Sequence, residues 1–123
     1  MKSFIILSAL VALVVADSIE YYTTNDDHYD IDAMMKDPIK VKSFMDCFLD
    51  IGSCDSLAES YKKNMKDAVA TACRRCNDPQ KHLWNRALWG LKNLHPAYFE
   101  KFQKKYDPEN LYIPALEKAV AGY

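Results

Sequence analysis

The sequence contains little glycine and lacks the dipeptides that build tight β-hairpins. Its 123 residues include three glycines, and neither Asn-Gly nor Asp-Gly occurs. Because two-residue hairpin turns rely on these dipeptides, their absence disfavours a β-sheet fold. Apolar residues instead recur at intervals of three and four, the period of an amphipathic helix. We therefore predict an all-α fold, a compact bundle of five to six amphipathic helices in one domain.

An excess of charge of one sign is also lacking. The chain carries 16 Lys and Arg residues against 17 Asp and Glu residues. Nucleic acids and anionic membranes attract proteins through clustered positive charge, which a chain so near neutrality does not supply. The short basic clusters are typical of solvated helix faces. We expect no nucleic-acid partner.

A long apolar run occurs only at the start of the chain. Lys2 is followed by an apolar stretch from Phe4 to Ala16, broken by Ser8. This stretch is too short to span a bilayer, and a basic start with small residues at its end is typical of a secretory signal. We predict that residues 1–16 are a signal peptide and that residues 17–123 form a secreted, extracellular helical domain without stable membrane insertion. Loss of Lys2 leaves 15 basic and 17 acidic side chains, a net charge of −2.

The motifs of common catalytic sites are missing. The chain contains no Gly-x-Ser-x-Gly, no His-Glu-x-x-His and no glycine-rich phosphate loop. Its three histidines, His28, His82 and His95, show no metal-ligand spacing. We predict no catalytic residue, no metal site and no cofactor, so we expect a protein that is not an enzyme.

The remaining chain divides into an arm and a series of helices. Residues 17–30 are polar and acidic, which predicts an extended or poorly ordered N-terminal arm, pinned to the body by its tyrosines. Helical periodicity begins at Ile31. Helix starts are predicted at Pro38, at a Ser56–Glu59 capping box, at Asp78 as the cap before Pro79, at Pro96 and at Pro114. Gly52 is predicted to end the helix that starts at Pro38.

The four cysteines predict two disulfides. They are spaced as Cys47-x6-Cys54-x18-Cys73-x2-Cys76 in a small chain with an export signal. Four cysteines allow three connectivities, and the sequence does not decide among them. Geometry favours local pairs, since residues three apart on a helix lie within the roughly 4.4 to 6.8 Å between Cα atoms that a disulfide needs.

Two other uses of these cysteines are less consistent with the sequence. A zinc site of four thiolates needs two close pairs, whereas six residues separate Cys47 from Cys54 and an oxidising compartment opposes free thiolates. A redox Cys-x-x-Cys pair is favoured by the neighbouring Arg74 and Arg75. Such a pair normally lies where a strand meets a helix, and here it is predicted to lie at the end of a long helix in a chain without strands.

Several motifs together resemble one known family. Besides the cysteine spacing, they are Asp46-Cys47 with Leu49-Asp50, then Lys63-Asn64 and Asp67-Ala68, and finally Lys105-Tyr106-Asp107-Pro108. In these motifs the chain resembles the insect chemosensory proteins, the OS-D-like family of small secreted carriers, over nearly all of residues 17–123.

The resemblance implies a fold and a function. It implies six helices around an apolar channel, with bridges from Cys47 to Cys54 and from Cys73 to Cys76. It also implies binding of long-chain apolar ligands such as semiochemicals or fatty derivatives. Two family pocket positions that are often tyrosine and tryptophan fall at Phe44 and Phe99, so the hydroxyl and the indole N–H are lost there.

The residues themselves indicate a binding site less strongly. Methionine and aromatic side chains form adaptable walls for apolar ligands, and they recur on the stripes predicted to face inward. We predict that the ligand-binding residues are Met34, Met35, Phe44, Phe48, Met65, Val69, Trp84, Leu88, Leu91, Phe99, Phe102 and Tyr106. The predicted function is a secreted, monomeric carrier that takes up small hydrophobic ligands and delivers them to a receptor or other acceptor protein.

An alternative keeps the same fold without a cavity. In that interpretation the inward residues fill a solid core, and the protein is a secreted helical interaction protein in development, defence or reproduction. Trp89 lies off the apolar stripe of its predicted helix, so it is the residue best placed to anchor a protein partner.

Overall fold

Six helices and no strand are present in residues 19–123, the part of the chain that a computed structural model describes. The helices are α1 (Ile31–Met35), α2 (Pro38–Phe48), α3 (Ser56–Ala70), α4 (Asp78–Leu94), α5 (Pro96–Tyr106) and α6 (Ile113–Val120). The prediction of an all-α bundle of five to six helices is confirmed. The predicted signal peptide, residues 1–16, lies outside the described residues.

Acidic and amide side chains determine where the first four helices begin. The side chains of Asp30, Asp37, Asp55 and Asn77 accept hydrogen bonds from backbone N–H groups of the first turns of α1 to α4. These groups have no partner within the helix, so the caps stabilise each start. Proline stands at the first or second position of α2, α4, α5 and α6, where its missing N–H costs nothing.

Two predicted caps are wrong by one residue. The cap of α3 is Asp55, whose carboxylate accepts from the Ala58 N–H at 2.8 Å, so Ser56 is already helical. The cap of α4 is Asn77, which forms a reciprocal capping box with Gln80. Both caps have an extended backbone, with ψ of 177° and 175°, and this conformation directs the side chain onto the first turn.

The end of α2 also differs from the prediction. The helix ends at Phe48 and not at Gly52, because Asp50 adopts a positive φ of 61°. The Asp50 carboxylate pairs with Lys62 of α3 and with Lys105 of α5, the latter at 2.6 Å. These two pairs tie the loop after α2 to two other helices.

Helix α4 occupies the centre of the bundle. It packs against α1, α5 and α6, while α2 packs against α1 and α3. Within the described residues, Leu116 of α6 and Cys47 of α2 are completely buried, and Val41 and Ile113 are 1% exposed. No helix in residues 19–123 is long and apolar enough to cross a membrane.

The two disulfides are local, as the family resemblance implies. One joins Cys47 to Cys54 and the other joins Cys73 to Cys76. The second bridge does not lie on a helix, because α3 ends at Ala70 and Cys73 adopts a positive φ of 62°. The bridge therefore closes the turn between α3 and α4 and leaves α4 free to begin at Asp78.

A buried carboxylate fixes the start of the last helix. Asp107 is 1% exposed, and it accepts hydrogen bonds from the backbone N–H groups of Leu111, Tyr112 and Ile113 at 2.8 to 3.0 Å. Desolvation raises the pKa of Asp107, but these three backbone hydrogen bonds outweigh it and hold the pKa below its ordinary value. The charged carboxylate thus connects the end of α5 to the beginning of α6.

Candidate ligand-binding cavity

An apolar cavity with a volume of about 100 Å³ lies between the N-terminal arm and helices α1 to α4. Its wall consists almost entirely of apolar and aromatic side chains. The cavity lies inside the hydrophobic core and is partly open to solvent. A concave, mainly apolar space with a few polar groups is typical of sites for small hydrophobic molecules.

Five of the twelve predicted ligand-binding residues line this cavity. They are Met34 of α1, Phe44 and Phe48 of α2, Met65 of α3 and Trp84 of α4. The Phe44 and Phe48 rings lie 5.8 Å apart between centroids and form one continuous aromatic wall. The structure therefore brings together predicted residues from four helices.

The other seven predicted residues do not line the cavity. Five are buried in the packed core, namely Met35, Val69, Leu88, Leu91 and Phe102, while Phe99 and Tyr106 are partly buried. Helix α5 lies behind Trp84, whose ring centroid is 6.1 Å from that of Phe102. Phe102 in turn packs against Tyr106 at 4.7 Å. Whether any of these seven contacts a ligand stays a prediction.

Ten lining residues were not predicted to bind ligand. The helices and the second disulfide contribute Ile31, Tyr61, Asn64, Cys76, Gln80, Leu83 and Ala87, and the arm contributes Tyr22, Thr24 and Tyr29. Tyr61, Leu83 and Ala87 lie on the apolar stripes of their helices, a signal that the sequence does contain. The arm shows no such periodicity, so its part in the wall follows from tertiary contacts alone.

The arm is fixed against the bundle by a polar network around Gln80. This side chain is 4% exposed and donates to the Tyr22 carbonyl at 2.8 Å and to the Asp27 carboxylate at 3.0 Å. Thr24 and Asn77 donate to the same carboxylate at 2.5 and 3.0 Å. Desolvation raises the pKa of Asp27, but the hydrogen bonds from these side chains outweigh it and hold the pKa below its ordinary value, so the carboxylate stays charged.

Further backbone contacts hold the arm along its length. The Tyr22 N–H donates to the Arg75 carbonyl at 3.0 Å, and the Asn25 N–H donates to the Ser60 hydroxyl at 3.0 Å. The described part of the arm, residues 19–30, contains no helix. These contacts hold it against the bundle.

Two tyrosines turn their hydroxyl groups away from the cavity. Tyr22 donates to the Asp67 carboxylate and Tyr61 donates to the Asp26 carbonyl. Desolvation, followed by the hydrogen bond to Asp67, raises the pKa of Tyr22 to about 12. Desolvation and the nearby Asp26 raise the pKa of Tyr61 as well. Both hydroxyls stay protonated and occupied, so these residues present their rings to the cavity.

A polar groove of about 530 Å³ lies beside the cavity, on the other side of Tyr29, Ile31 and Leu83. Its remaining wall includes His28, His82 and several aspartates. Within residues 19–123, no three His, Cys, Asp or Glu side chains are arranged to hold a metal ion. His82 Nδ1 forms a hydrogen bond with the Tyr123 carbonyl at 2.6 Å.

Trp89 lies on the surface of α4, away from the cavity. It is 46% exposed, and the Arg86 guanidinium stacks over its ring at 4.5 Å. Arg86 also pairs with Asp32 of α1 at 2.6 Å. The indole is therefore part of a surface contact between α1 and α4, and a role in binding a partner stays a prediction.

Comparison with known proteins identifies relatives among insect proteins. Residues 22–114 match the insect pheromone-binding family A10/OS-D. Ejaculatory bulb-specific protein 3 of Drosophila melanogaster is 28% identical over 109 residues, which span 89% of this chain and 86% of that protein. Allergen Tha p 1 of Thaumetopoea pityocampa is 30% identical over 112 residues, which span 91% of this chain and 89% of that protein.

The fold is also shared with a solved structure. A chemosensory protein in complex with bromo-dodecanol superposes with a TM-score of 0.72 and 21% sequence identity, over 79% of this chain and 97% of that chain. This similarity shows the same arrangement of helices. Since the family match covers most of the sequence, the chain belongs to the insect pheromone-binding family A10/OS-D, in agreement with its resemblance to the OS-D-like chemosensory proteins.

Proposed function

We propose that residues 17–123 are a secreted carrier that binds small hydrophobic molecules of long-chain type and performs no catalysis. The observation that supports this most strongly is the apolar cavity, whose wall combines Met34, Met65, Phe44, Phe48 and Trp84. Support also comes from the family, which is named for pheromone binding, and from the structural neighbour, which was solved with bromo-dodecanol. Export by residues 1–16 would place the carrier in an extracellular fluid.

The energetics of an alkyl chain suit such a carrier. Burial of about 12 methylene groups at about 0.8 kcal/mol each gives roughly 10 kcal/mol. Association costs at least about 4 kcal/mol in lost translational and rotational freedom, which leaves about 6 kcal/mol, an affinity of tens of micromolar. Most of this binding free energy comes from buried apolar area and not from hydrogen bonds. Selectivity among ligands whose alkyl chains have similar lengths is therefore modest.

The volume of the cavity requires its wall to adjust. The cavity, at about 100 Å³, is smaller than the roughly 300–1,000 Å³ of typical small-molecule sites. Met34 and Met65 have long, unbranched side chains that repack at low cost. We infer that these two side chains move to make room when ligand enters.

The proposal is tested by filling the cavity at Ala87. Displacement of an apolar fluorescent probe by dodecanol is measured with the oxidised protein and with Ala87→Leu, which places three additional carbons in the wall. The same substitution at the exposed Ala97 of α5 is the matched control. We expect at least tenfold weaker binding for Ala87→Leu and unchanged binding for Ala97→Leu. Equal binding by both variants, or no uptake by the wild type, would overturn the proposal.

A further inference from the structure

The apolar cavity and the polar groove share part of their walls. Tyr29 of the arm, Ile31 at the start of α1 and Leu83 of α4 line both spaces, and all three side chains are partly buried. Because the same three side chains border both spaces, a single layer of side chains separates the cavity from the groove there. We call these three residues the partition.

The partition is held unevenly. Tyr29 and Ile31 pack against the hydrophobic core, and the Tyr29 ring lies 5.6 Å from that of Phe44 between centroids. Leu83, in contrast, is neither part of the core cluster of residues 19–123 nor packed against it. A change of rotamer at Leu83 therefore opens the partition without breaking contacts of the core.

The groove is suited to a polar head group. Its wall includes His28, His82 and the carboxylates of Asp27, Asp30 and Asp32. A head group in such a groove keeps its hydrogen bonds, either to protein or to water, whereas the same group enclosed in the apolar cavity would lose them. No Lys or Arg side chain of residues 19–123 lines the groove, so an anionic head would meet carboxylates without gaining a cation.

The two spaces also complement each other in size. The cavity has a volume of about 100 Å³ and the groove a volume of about 530 Å³. Together they fall within the roughly 300–1,000 Å³ of typical small-molecule sites. Repacking of Met34 and Met65 enlarges only the apolar space. A molecule that has both an alkyl chain and a polar head thus fits the pair of spaces better than it fits either one.

We propose that the cavity and the groove are two halves of one site for single-chain amphiphiles: a bulky uncharged head stays in the groove while the alkyl chain passes the partition into the cavity. This inference rests on the proposed carrier function and adds the route of entry and the kind of head group that is accepted. Leu83 limits the rate of entry, because it is the partition side chain without core contacts.

The first test asks whether a bulky head is accepted. Dodecyl glucoside, below its critical micelle concentration, competes with dodecanol for displacement of the apolar fluorescent probe. We expect the affinities of the two competitors for the wild type to agree within about threefold, because the sugar remains hydrated in the groove. If ligands are instead enclosed completely, dodecanol displaces the probe and the glucoside does not.

A second measurement locates the head group. A dodecyl amphiphile with an uncharged nitroxide head broadens the NMR signals of nearby backbone amides. We expect the strongest broadening at His28 and His82, which line the groove, and weaker broadening at Asn64 of α3, a helix that contributes no residue to the groove. This measurement uses the wild-type protein, so it does not depend on the folding of any variant.

Substitutions at Leu83 test the partition itself. Leu83→Ala widens it and Leu83→Trp fills it, so the association rate constant of the glucoside should rise about threefold in the first variant and fall about threefold in the second. Leu94→Ala and Leu94→Trp are the matched controls, because Leu94 ends the same helix and is 45% exposed. Both controls should keep the wild-type rate.

Three results would overturn the inference. They are failure of the glucoside to displace a probe that dodecanol displaces, stronger broadening at Asn64 than at His28 and His82, and wild-type association rates in both Leu83 variants. If neither dodecanol nor the glucoside displaces the probe from the wild type, the carrier function itself fails.

Discussion

Met35 of α1 lies directly against the backbone of Gly90 in α4. A Cβ atom at position 90 would lie 2.5 Å from Met35 Cγ and 2.8 Å from Met35 Sδ, closer than atoms can pack. Both residues are buried, at 4% exposure for Met35. Glycine therefore allows α1 to approach α4, and this approach positions Met34, the preceding residue of α1, in the wall of the cavity.

The first prediction concerns this contact. Gly90→Ala should gain about 1 kcal/mol from the better helix propensity of alanine. Forcing apart a packed core costs about 1–3 kcal/mol, and Met35 Cγ and Sδ can avoid the clash only if this buried side chain changes its rotamer. We expect the free energy of unfolding to fall by up to about 2 kcal/mol, measured by urea denaturation.

A double-mutant cycle provides the control. In a Met35→Ala background the obstructing side chain is absent, so Gly90→Ala should be neutral or stabilising. If Gly90→Ala stabilises the wild-type protein, the close approach of α1 to α4 described above is incorrect.

The second prediction concerns the attachment of the arm. Gln80→Leu removes the donors to the Tyr22 carbonyl and the Asp27 carboxylate, and an unpaired buried polar group costs about 1–3 kcal/mol. We expect fast hydrogen exchange of the amides of Tyr22 and Asn25, with little change in the centres of α3 and α4. Gln103→Leu in α5 is the matched control. Unchanged protection of the arm in Gln80→Leu would show that other contacts hold it.

How far the sequence specifies this fold can be judged at particular residues. The spacing of apolar residues along the sequence predicted α2 to α6. Each of these helices buries one face, and the apolar residues of that face recur with the helical period. The cap positions of α3 and α4 were wrong because Asp55 and Asn77, directly before the predicted starts, are equally good caps. When two adjacent residues can both cap a helix, only the backbone conformation decides which of them is the N-cap.

The cavity was harder to predict than the helices. An apolar stripe identifies residues that face inward, but Phe44 and Phe102 share this property while one lines the cavity and the other fills the core behind Trp84. That difference depends on how α5 packs against α4. The contribution of the arm depends on contacts such as Gln80 with Tyr22, 58 residues apart, for which the sequence contains no local signal.

The third prediction concerns pH. Hydrogen bonds from Lys105 and Lys62 lower the pKa of Asp50 from its ordinary value of 3.8 to about 2. A lowered pKa means that the pairs stabilise the fold above pH 4 and that this contribution is lost as the pH falls toward 2. Asp50→Asn removes the charge and tolerates the positive φ. We expect its Tm to lie a few degrees below that of the wild type at pH 7 and to match it near pH 2.

Glu100→Gln is the control for this comparison. Glu100 forms a single exposed pair with Lys104 on α5 at 3.2 Å, and isolated surface pairs contribute little. Its Tm should follow that of the wild type at every pH. A difference between Asp50→Asn and the wild type that persists unchanged at pH 2 would show that the two lysine pairs are not its cause.

The most direct test of the carrier account uses the methionine methyl groups as reporters. Of the four methionines in residues 17–123, Met34 and Met65 line the cavity, whereas Met35 and Met45 are buried outside it. NMR of the methyl-labelled, oxidised protein with dodecanol should show intermolecular NOEs from the alkyl chain to Met34 and Met65 and none to Met35 or Met45. NOEs confined to Met35 and Met45, or no NOE at saturating dodecanol, would contradict the account.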